Sequence, residues 1–148
     1  MKEARLPHWL SWLFIIAASL GFLDATYLSV QHALSAGGPL NVVCIVGAPG
    51  TCNIVLQSIY AKIIGIPVAY FGMLYYATVL VLAVRLYRMR DSRAWHLLQI
   101  VTSVGFAFSL YFVYLQLVVL RNICMYCMIS ASLSTIMFAS AMWHRLKK

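Results

Sequence analysis

Charged residues are scarce in this chain. Only 9% of its 148 residues are Asp, Glu, Lys or Arg, and just three of these are acidic, whereas 64% of all residues are hydrophobic. A water-soluble domain carries many more charged side chains on its surface, so this composition excludes an ordinary soluble protein. The chain also has no internal repeat and no low-complexity segment, which excludes a repeat architecture. Its composition is that of an integral membrane protein.

Four long apolar runs organise the chain. They cover about residues 9–30, 67–86, 95–120 and 123–143, and each run, as a helix, is long enough to cross a hydrocarbon layer of about 30 Å. The runs lack the polar alternation of barrel strands, and inside a bilayer every backbone polar group must be hydrogen-bonded within its own segment. The sequence therefore predicts an all-α integral membrane protein, with one four-transmembrane-helix bundle formed by residues 1–148.

The basic residues are distributed as in a membrane protein, although the formal net charge of +8 is also compatible with a nucleic-acid-binding protein. Only Lys62 lies between the first and second runs, and only Arg121 lies between the third and fourth. The positive-inside rule therefore predicts that both termini and the second connection lie in the cytoplasm. The basic residues on that side are Lys2, Arg5, Arg85, Arg88, Arg90, Arg93, Arg145, Lys147 and Lys148.

A cleaved signal peptide is a competing interpretation of the N-terminus, because the chain starts with basic residues followed by an apolar run. The run is long for a signal peptide, no convincing cleavage site follows it, and its removal would leave an odd number of spans. We therefore expect the first run to be a membrane span.

The four cysteines all fall on the outer side in this topology, and a bacterial periplasm or the cell exterior is where disulfides form and persist. Cys124 and Cys127 form a Cys-x-x-Cys pair at the start of the fourth run. If a helix begins near Asn122, we expect that residue to be the N-cap and Cys127 to lie about one turn deeper than Cys124 on the same face. The helix N-terminus and the neighbouring Arg121 favour a thiolate, which predicts that Cys124 is an exchange-active sulfur.

The outer loop, at about residues 33–66, carries the other cysteine pair. Seven residues separate Cys44 from Cys52, and the Gly and Pro residues among them let the chain fold back, so a disulfide between the two is sterically easy. In a loop, such a bond can exchange with other thiols and need not be only a staple. Residues 53–64 have the pattern of a short amphipathic helix, which we expect to lie at the outer interface as a lid over the bundle.

Asp24 is an acidic residue within the first apolar run. A carboxylate in a membrane helix is a functional-site hypothesis by default, and Asp24 lies in the outer half of its run, at the level of the cysteines. One interpretation is a proton relay or a polar contact to a redox ligand. The other is a structural hydrogen bond to a neighbouring helix, and the sequence leaves both open.

Two other chemistries of paired thiols compete with disulfide exchange. A four-thiolate zinc site has suitable ligand spacing only at Cys124 and Cys127, and an oxidising compartment works against it. A c-type haem site requires a His directly after the second cysteine, and Met128 occupies that position. We therefore expect a relay of two disulfides and no metal site.

One combination of motifs resembles a known family. It consists of Cys44-x7-Cys52, Ser58, the segment Gly-Ile-Pro-Val-Ala-Tyr-Phe-Gly at residues 65–72, and the distal Cys124-x-x-Cys127. The joint pattern resembles the vitamin K epoxide reductase family, and its bacterial homologues in particular. Homologues often carry a fused thioredoxin-like domain. We expect none here, so that the thioredoxin-fold partner is a separate protein.

The resemblance implies a function and a role for each cysteine. It implies an enzyme that oxidises thiols in a four-helix bundle around a membrane quinone, either ubiquinone or menaquinone. By motif position, Cys127 would reduce the quinone and Cys124 would exchange with Cys52. Cys44 would face a periplasmic thioredoxin-fold partner, which leaves oxidised and goes on to form disulfides in secreted proteins.

The resemblance also bears on the quinone contacts. Ser58 matches a Ser or Thr that the family places in its lid helix near the quinone head, and Asp24 is a second candidate contact. Members that reduce vitamin K epoxide bind it with an Asn and a Tyr, at the positions of Val68 and Ala131 here. This departure argues against direct epoxide reduction. The alternatives are a vitamin K quinone or epoxide reductase, and a non-catalytic membrane protein with structural disulfides or a metal-thiolate site.

Overall fold

Four long helices form the protein. The computed structural model describes residues 7–35, 38, 42–44 and 51–147. Within these ranges, each long helix has the length and apolar composition needed to cross a membrane, which confirms the predicted all-α bundle. The helices, with the short α2 of the outer loop, are α1 (His8–Ser35), α2 (Thr51–Gln57), α3 (Val68–Met89), α4 (Ser92–Tyr114) and α5 (Met125–Leu146).

The long helices pack as a ring in which α1 contacts α3, α3 contacts α4, α4 contacts α5, and α5 contacts α1. Gly21 makes one of these contacts close, because a Cβ at this position would overlap the ring of Tyr76. The ring of helices encloses one large apolar cluster, which we call the inner core. Its buried members are Leu10, Phe14, Ala17, Ala18, Ala25, Tyr76, Val79, Leu82, Ala83, Leu86, Ala94, Trp95, Leu98, Met137 and Ala141.

The outward faces of the helices are also apolar. A helix of a soluble protein turns polar residues outward, whereas a helix in lipid gains nothing by doing so. The exposed positions agree with a lipid environment along the whole length of the bundle. They include Trp12, Ile16, Leu20, Leu23, Leu74, Val81, Ile100, Val104, Phe108, Leu110 and Ile136.

A tight turn joins α3 to α4 at the basic end of the bundle. Arg90 adopts a left-handed conformation with φ of 50°, and its N–H donates to the Leu86 carbonyl at 3.2 Å. Asp91 then caps α4, since its carboxylate accepts the Arg93 N–H at 3.0 Å. Lys2, Arg5 and Lys148, which sequence analysis assigns to the same side, lie outside the described residues.

The outer loop differs from the single helix predicted for residues 53–64. Helix α2 ends at Gln57, a 3₁₀ turn covers Ile59–Ala61, and β1 (Lys62–Ile63) pairs with β2 (Ile66–Pro67) in a two-stranded antiparallel hairpin. The hairpin turn is Ile64-Gly65, with φ values of 54° and 79°. A two-residue hairpin turn of this type needs positive φ at both positions, and Gly65 adopts it without steric cost. The loop helix is therefore shorter than expected, and its place at the membrane interface stays a prediction.

The connection between α4 and α5 also differs from expectation. After Tyr114 the chain widens into a π-helical turn, Leu115–Val119, in which the Leu120 N–H donates to the Leu115 carbonyl at 2.8 Å. Helix α5 then begins at Met125 with Cys124 as its N-cap residue. The prediction that Asn122 caps the helix is wrong, because its side-chain amide donates back to the Leu120 carbonyl at 2.8 Å.

Candidate redox site

The first cysteine pair is a disulfide in the outer loop. Cys44 and Cys52 are bonded with their Cα atoms 6.2 Å apart, as the spacing of the pair allows. Cys52 lies on α2 and has no exposed surface, whereas Cys44 is partly exposed. The Asn53 side chain accepts the Val42 N–H at 3.0 Å, which fastens the segment before Cys44 to the start of α2. The two sulfurs therefore differ in access, and Cys44 is the more accessible one.

The second pair, Cys124 and Cys127, is reduced. Cys124 is fully buried at the N-terminus of α5 and Cys127 lies one turn further in, so the predicted relation of the two residues holds although the helix begins later. A hydrogen bond from the Cys127 thiol is the largest influence on the pKa of Cys124. Together with the backbone N–H groups of Tyr126 and Cys127, it outweighs burial and lowers the pKa of the Cys124 thiol. A lowered pKa favours the nucleophilic thiolate.

The two pairs meet in one small cluster, which we call the cysteine cluster. Cys52 and Cys124 are both buried in it with no exposed surface, while Cys44 and Cys127 pack against it from the two sides. The structure thus brings together the four cysteines predicted from sequence, with an oxidised pair packed against a reduced one. The buried members of the cluster are Leu28, Val42, Cys52, Val55, Leu56 and Cys124.

Gln116 positions the reduced pair, and sequence analysis missed it. Its side-chain oxygen accepts the Cys124 N–H at 2.8 Å, and its own N–H₂ group donates to the Phe112 carbonyl at 3.4 Å. Gln116 is only 2% exposed and lies in the π-helical turn that ends α4. π-helical turns are often found at functional sites. This turn directs the Gln116 side chain toward Cys124, the N-cap residue of α5, so that the buried Cys124 N–H has a hydrogen-bond acceptor.

Tyr126 links the reduced pair to the loop that carries the disulfide. Its hydroxyl donates to the Val43 carbonyl at 3.0 Å, next to Cys44 in the sequence. Its ring lies against Tyr27 of α1 with the ring centroids 5.3 Å apart. Tyr126, one of the two residues between Cys124 and Cys127, therefore fixes both the loop and α1 against the start of α5.

A cavity of about 480 Å³ opens beside Cys127 in the bundle. Its volume lies within the range of small-molecule sites, and most of its wall is apolar. Val68 and Ala131, which replace the polar contacts expected for an epoxide ligand, both line it. The apolar wall suits a flat, lipid-soluble ring, and the thiol of Cys127 gives that ring a redox partner. The residues present therefore fit a quinone.

The two candidate quinone contacts line the same cavity. Ser58 lies at its outer end, and the Ser58 hydroxyl donates to the Val55 carbonyl at 2.7 Å, so its single hydrogen is already used. Asp24 is half-buried in the cavity wall, and its carboxylate has no hydrogen-bond or ion-pair partner among the residues the structure describes. The structural hydrogen bond considered for Asp24 is therefore not formed within the described part of the chain.

Within residues 7–35, 38, 42–44 and 51–147, no group of three or more His, Cys, Asp or Glu side chains is arranged to hold a metal ion.

A comparison with models of known families agrees with the geometry of this site. The model of the vitamin K epoxide reductase family matches residues 12–142, which include α3, α4, most of α1 and α5, and both cysteine pairs. The chain belongs to the vitamin K epoxide reductase family. Members of the family are oxidoreductases that generally use a quinone as electron acceptor and work with thioredoxin-like partners. Membership supports this general redox class for the chain, as a multi-pass membrane protein with four apolar helices.

Proposed function

We propose that this member of the vitamin K epoxide reductase family is a quinone-dependent thiol oxidase. Electrons pass from a reduced thioredoxin-fold partner to Cys44 and Cys52, then to Cys124 and Cys127, and finally to a membrane quinone. The observation that carries the proposal is the cysteine cluster, in which Cys52 and Cys124 are buried together while Cys127 lines a ligand-sized cavity. The partner leaves oxidised and can form disulfides in other proteins.

The exchange steps are balanced in bonds, electrons and protons. A thiolate of the partner attacks Cys44, which forms a mixed disulfide and releases Cys52. The partner's second thiolate then closes the partner's own disulfide, which leaves Cys44 and Cys52 as thiols. In the next step, the Cys52 thiolate attacks Cys124 of the Cys124–Cys127 disulfide and releases Cys127. Cys44 then closes its bond with Cys52 and releases Cys124, so that Cys124 and Cys127 take up the same two electrons as thiols. A bound quinone would accept the two electrons and two protons released when Cys124 and Cys127 form their disulfide.

The protein positions the reacting thiols beside the ligand and transfers protons between them. Cys127 lines the cavity, and the lowered pKa of Cys124 makes it a good leaving thiolate when Cys44 closes its disulfide with Cys52. Asp24, in the same cavity wall, is our candidate for moving a proton from the thiols to the ligand. Ser58 can only accept a hydrogen bond while it donates to Val55, which suits the hydroxyl of a hydroquinone. If Asp24→Asn left the pH profile of turnover unchanged, the relay role would be wrong.

The orientation of the bundle is part of the proposal. The cysteines lie at one end of the bundle, and Arg85, Arg88, Arg93 and Arg145 lie at the other. The positive-inside rule predicts that the arginine end and both termini lie on the cytoplasmic side of the membrane, which we take to be a bacterial inner membrane. The cysteine pairs then meet a separate periplasmic partner. The quinone is either ubiquinone or menaquinone.

The direct test is quinone reduction by purified protein in liposomes, supplied with a reduced thioredoxin-fold protein. We expect turnover by the wild type and none by Cys127→Ser, because that variant cannot form the terminal disulfide. A small dithiol in place of the protein donor gives a second assay that needs no partner recognition. If the wild type is inactive with both donors and its thiols stay unchanged by quinone, the protein is a non-catalytic membrane protein and the proposal is wrong.

A further inference from the structure

Two neighbouring tyrosines of α3 reach across the cavity to two serines of α5. The Tyr76 hydroxyl donates to the Ser130 carbonyl at 2.9 Å and lies 2.7 Å from the Ser130 hydroxyl. The Tyr75 hydroxyl lies 3.3 Å from the Ser134 hydroxyl. All four residues line the cavity beside Cys127. Each pair consists of one tyrosine and one serine, but the two pairs differ in how many of their hydroxyl hydrogens are used in hydrogen bonds.

The hydrogens of the first pair are fully used. Because Tyr76 donates to the Ser130 carbonyl, the Ser130 hydroxyl must donate to the Tyr76 oxygen. The second pair has two hydroxyl hydrogens and one hydrogen bond between them. No further acceptor lies within bonding distance of Tyr75 or Ser134 among the residues that the structure describes. One buried O–H group is therefore left over.

The leftover hydrogen belongs to Tyr75. Ser134 is only 2% exposed, whereas Tyr75 is partly exposed toward the cavity. With Ser134 donating to the Tyr75 oxygen, the Tyr75 O–H is the one free to meet a ligand. Gly105 of α4 supports this position, because a Cβ there would overlap the Tyr75 ring. The Tyr75 ring packs against Gly105, and the Tyr75 hydroxyl is hydrogen-bonded to Ser134.

The position of this donor relative to Cys127 suits a quinone ring. Cys127 and Ser134 are seven residues apart on α5, which is two turns of one helix face and about 10 Å along the axis. A six-membered ring fits between them if one edge contacts the sulfur and the opposite oxygen accepts a hydrogen bond. The apolar Val68 and Ala131 give no donor at the two positions that epoxide-reducing relatives use. A quinone carbonyl only accepts hydrogen bonds, so it matches the free hydrogen of Tyr75.

We infer that the Tyr75 hydroxyl, oriented by Ser134, binds the quinone carbonyl oxygen that points away from Cys127. This inference rests on the proposed function and adds to it the residue that holds the far end of the ring. Tyr75 is then a binding residue and Ser134 a positioning residue. The pair replaces the polar contacts that epoxide-reducing relatives have at other positions of the cavity.

The test compares Tyr75→Phe with the wild type in purified form. The probes are ubiquinone-1 and menaquinone-1, whose rings are fully substituted and do not add thiols, with dithiothreitol as donor. Tyr75→Phe keeps the ring against Gly105 and removes only the donor, so we expect the quinone KM to rise about fivefold to tenfold. Binding is measured without turnover, by the rise in melting temperature with added quinone, and the concentration needed should increase by the same factor. Ser134→Ala should cause a smaller change of the same sign.

Tyr76→Phe is the matched control, because it also removes a tyrosine hydroxyl that ties α3 to α5. It should lower the melting temperature of the free protein and raise the quinone KM much less than Tyr75→Phe does, because the Tyr76 hydrogen is already used within the protein. Equal quinone KM and equal quinone-dependent stabilisation in Tyr75→Phe and the wild type would overturn the inference while leaving the proposed function intact. An inactive wild type that still loses quinone binding on Tyr75→Phe would support the site and contradict the proposed function.

Discussion

The two buried clusters of this bundle are built in different ways. The inner core draws its side chains from all four long helices, including Phe14, Val79, Leu98 and Met137. The cysteine cluster has six buried members, and four of them come from the outer loop and α2. One cluster joins the membrane spans to each other. The other joins a loop to the ends of the spans.

This difference separates stability from redox exchange. Helices in a bilayer associate mainly through van der Waals packing, so the larger inner core carries most of the packing energy. The cysteine cluster is smaller and is fastened by three hydrogen bonds, in which the Asn53 and Gln116 side chains accept and the Tyr126 hydroxyl donates. A region held by few contacts can rearrange while the rest of the fold stays intact. The relay needs such a region, because each exchange step moves one sulfur from one partner to another.

Cys44→Ser should have the largest effect, since it removes the sulfur of the cysteine cluster that a protein partner can reach. We expect turnover with a reduced thioredoxin-fold donor to fall to background, while dithiothreitol still drives quinone reduction by reducing Cys124 and Cys127 directly. The two rates are measured on one preparation. Equal loss with both donors would contradict the separate role of Cys44.

Gln116→Leu should have an intermediate effect, because it leaves the buried N–H of Cys124 without an acceptor. The cost is about 1–3 kcal/mol in the free energy of unfolding, and thiol exchange should slow because Cys124 loses its position. Thr102→Val is the control within α4, since the buried Thr102 hydroxyl only donates within its own helix. That variant should leave the exchange rate unchanged. If both variants slowed exchange equally, Gln116 would have no positioning role.

The pH dependence of the reduced pair should show a smaller effect. The lowered pKa of Cys124 means that its thiolate appears below the ordinary value of 9.0. At a pH above the pKa of Cys124 in the unfolded chain, the thiolate makes its full contribution to the stability of the reduced protein. This contribution is lost as the pH falls through the lower pKa that Cys124 has in the folded protein. Thiolate absorbance in the ultraviolet follows the titration. Cys127→Ala removes the hydrogen-bond donor and should raise the pKa, so an identical titration in both proteins would refute this cause.

The sequence predicted the spans and the four cysteines for physical reasons that act locally. Long apolar runs leave few alternatives to membrane helices. The cysteine pairs are short-range patterns, so spacing and sidedness alone brought Cys44, Cys52, Cys124 and Cys127 to one end of the bundle. The outer loop was predicted less well, because the apolar pattern of residues 53–64 suits a helix while the Ile64-Gly65 turn imposes a hairpin.

The remaining site residues depend on contacts that are distant in sequence or need unusual backbone. Gln116 reaches Cys124 only because α4 ends in a π-helical turn, which no pattern in the sequence signals. Tyr75 and Ser134 are 59 positions apart, and Tyr75 is one of nine tyrosines in the chain. The proposed role of Tyr75 depends on which hydroxyl hydrogens of Tyr75 and Ser134 lack an acceptor, and this is visible only in the three-dimensional structure.

The central claim is that electrons cross between the pairs through Cys52 and Cys124. The most direct measurement uses the double variant Cys44→Ser with Cys127→Ser, which keeps only these two thiols, purified under mild oxidation and digested for mass spectrometry without reduction. We predict an intramolecular disulfide between Cys52 and Cys124, and far less cross-linking in the matched variant that keeps Cys52 and Cys127. Free thiols at both positions, or bonds only between molecules, would contradict the relay.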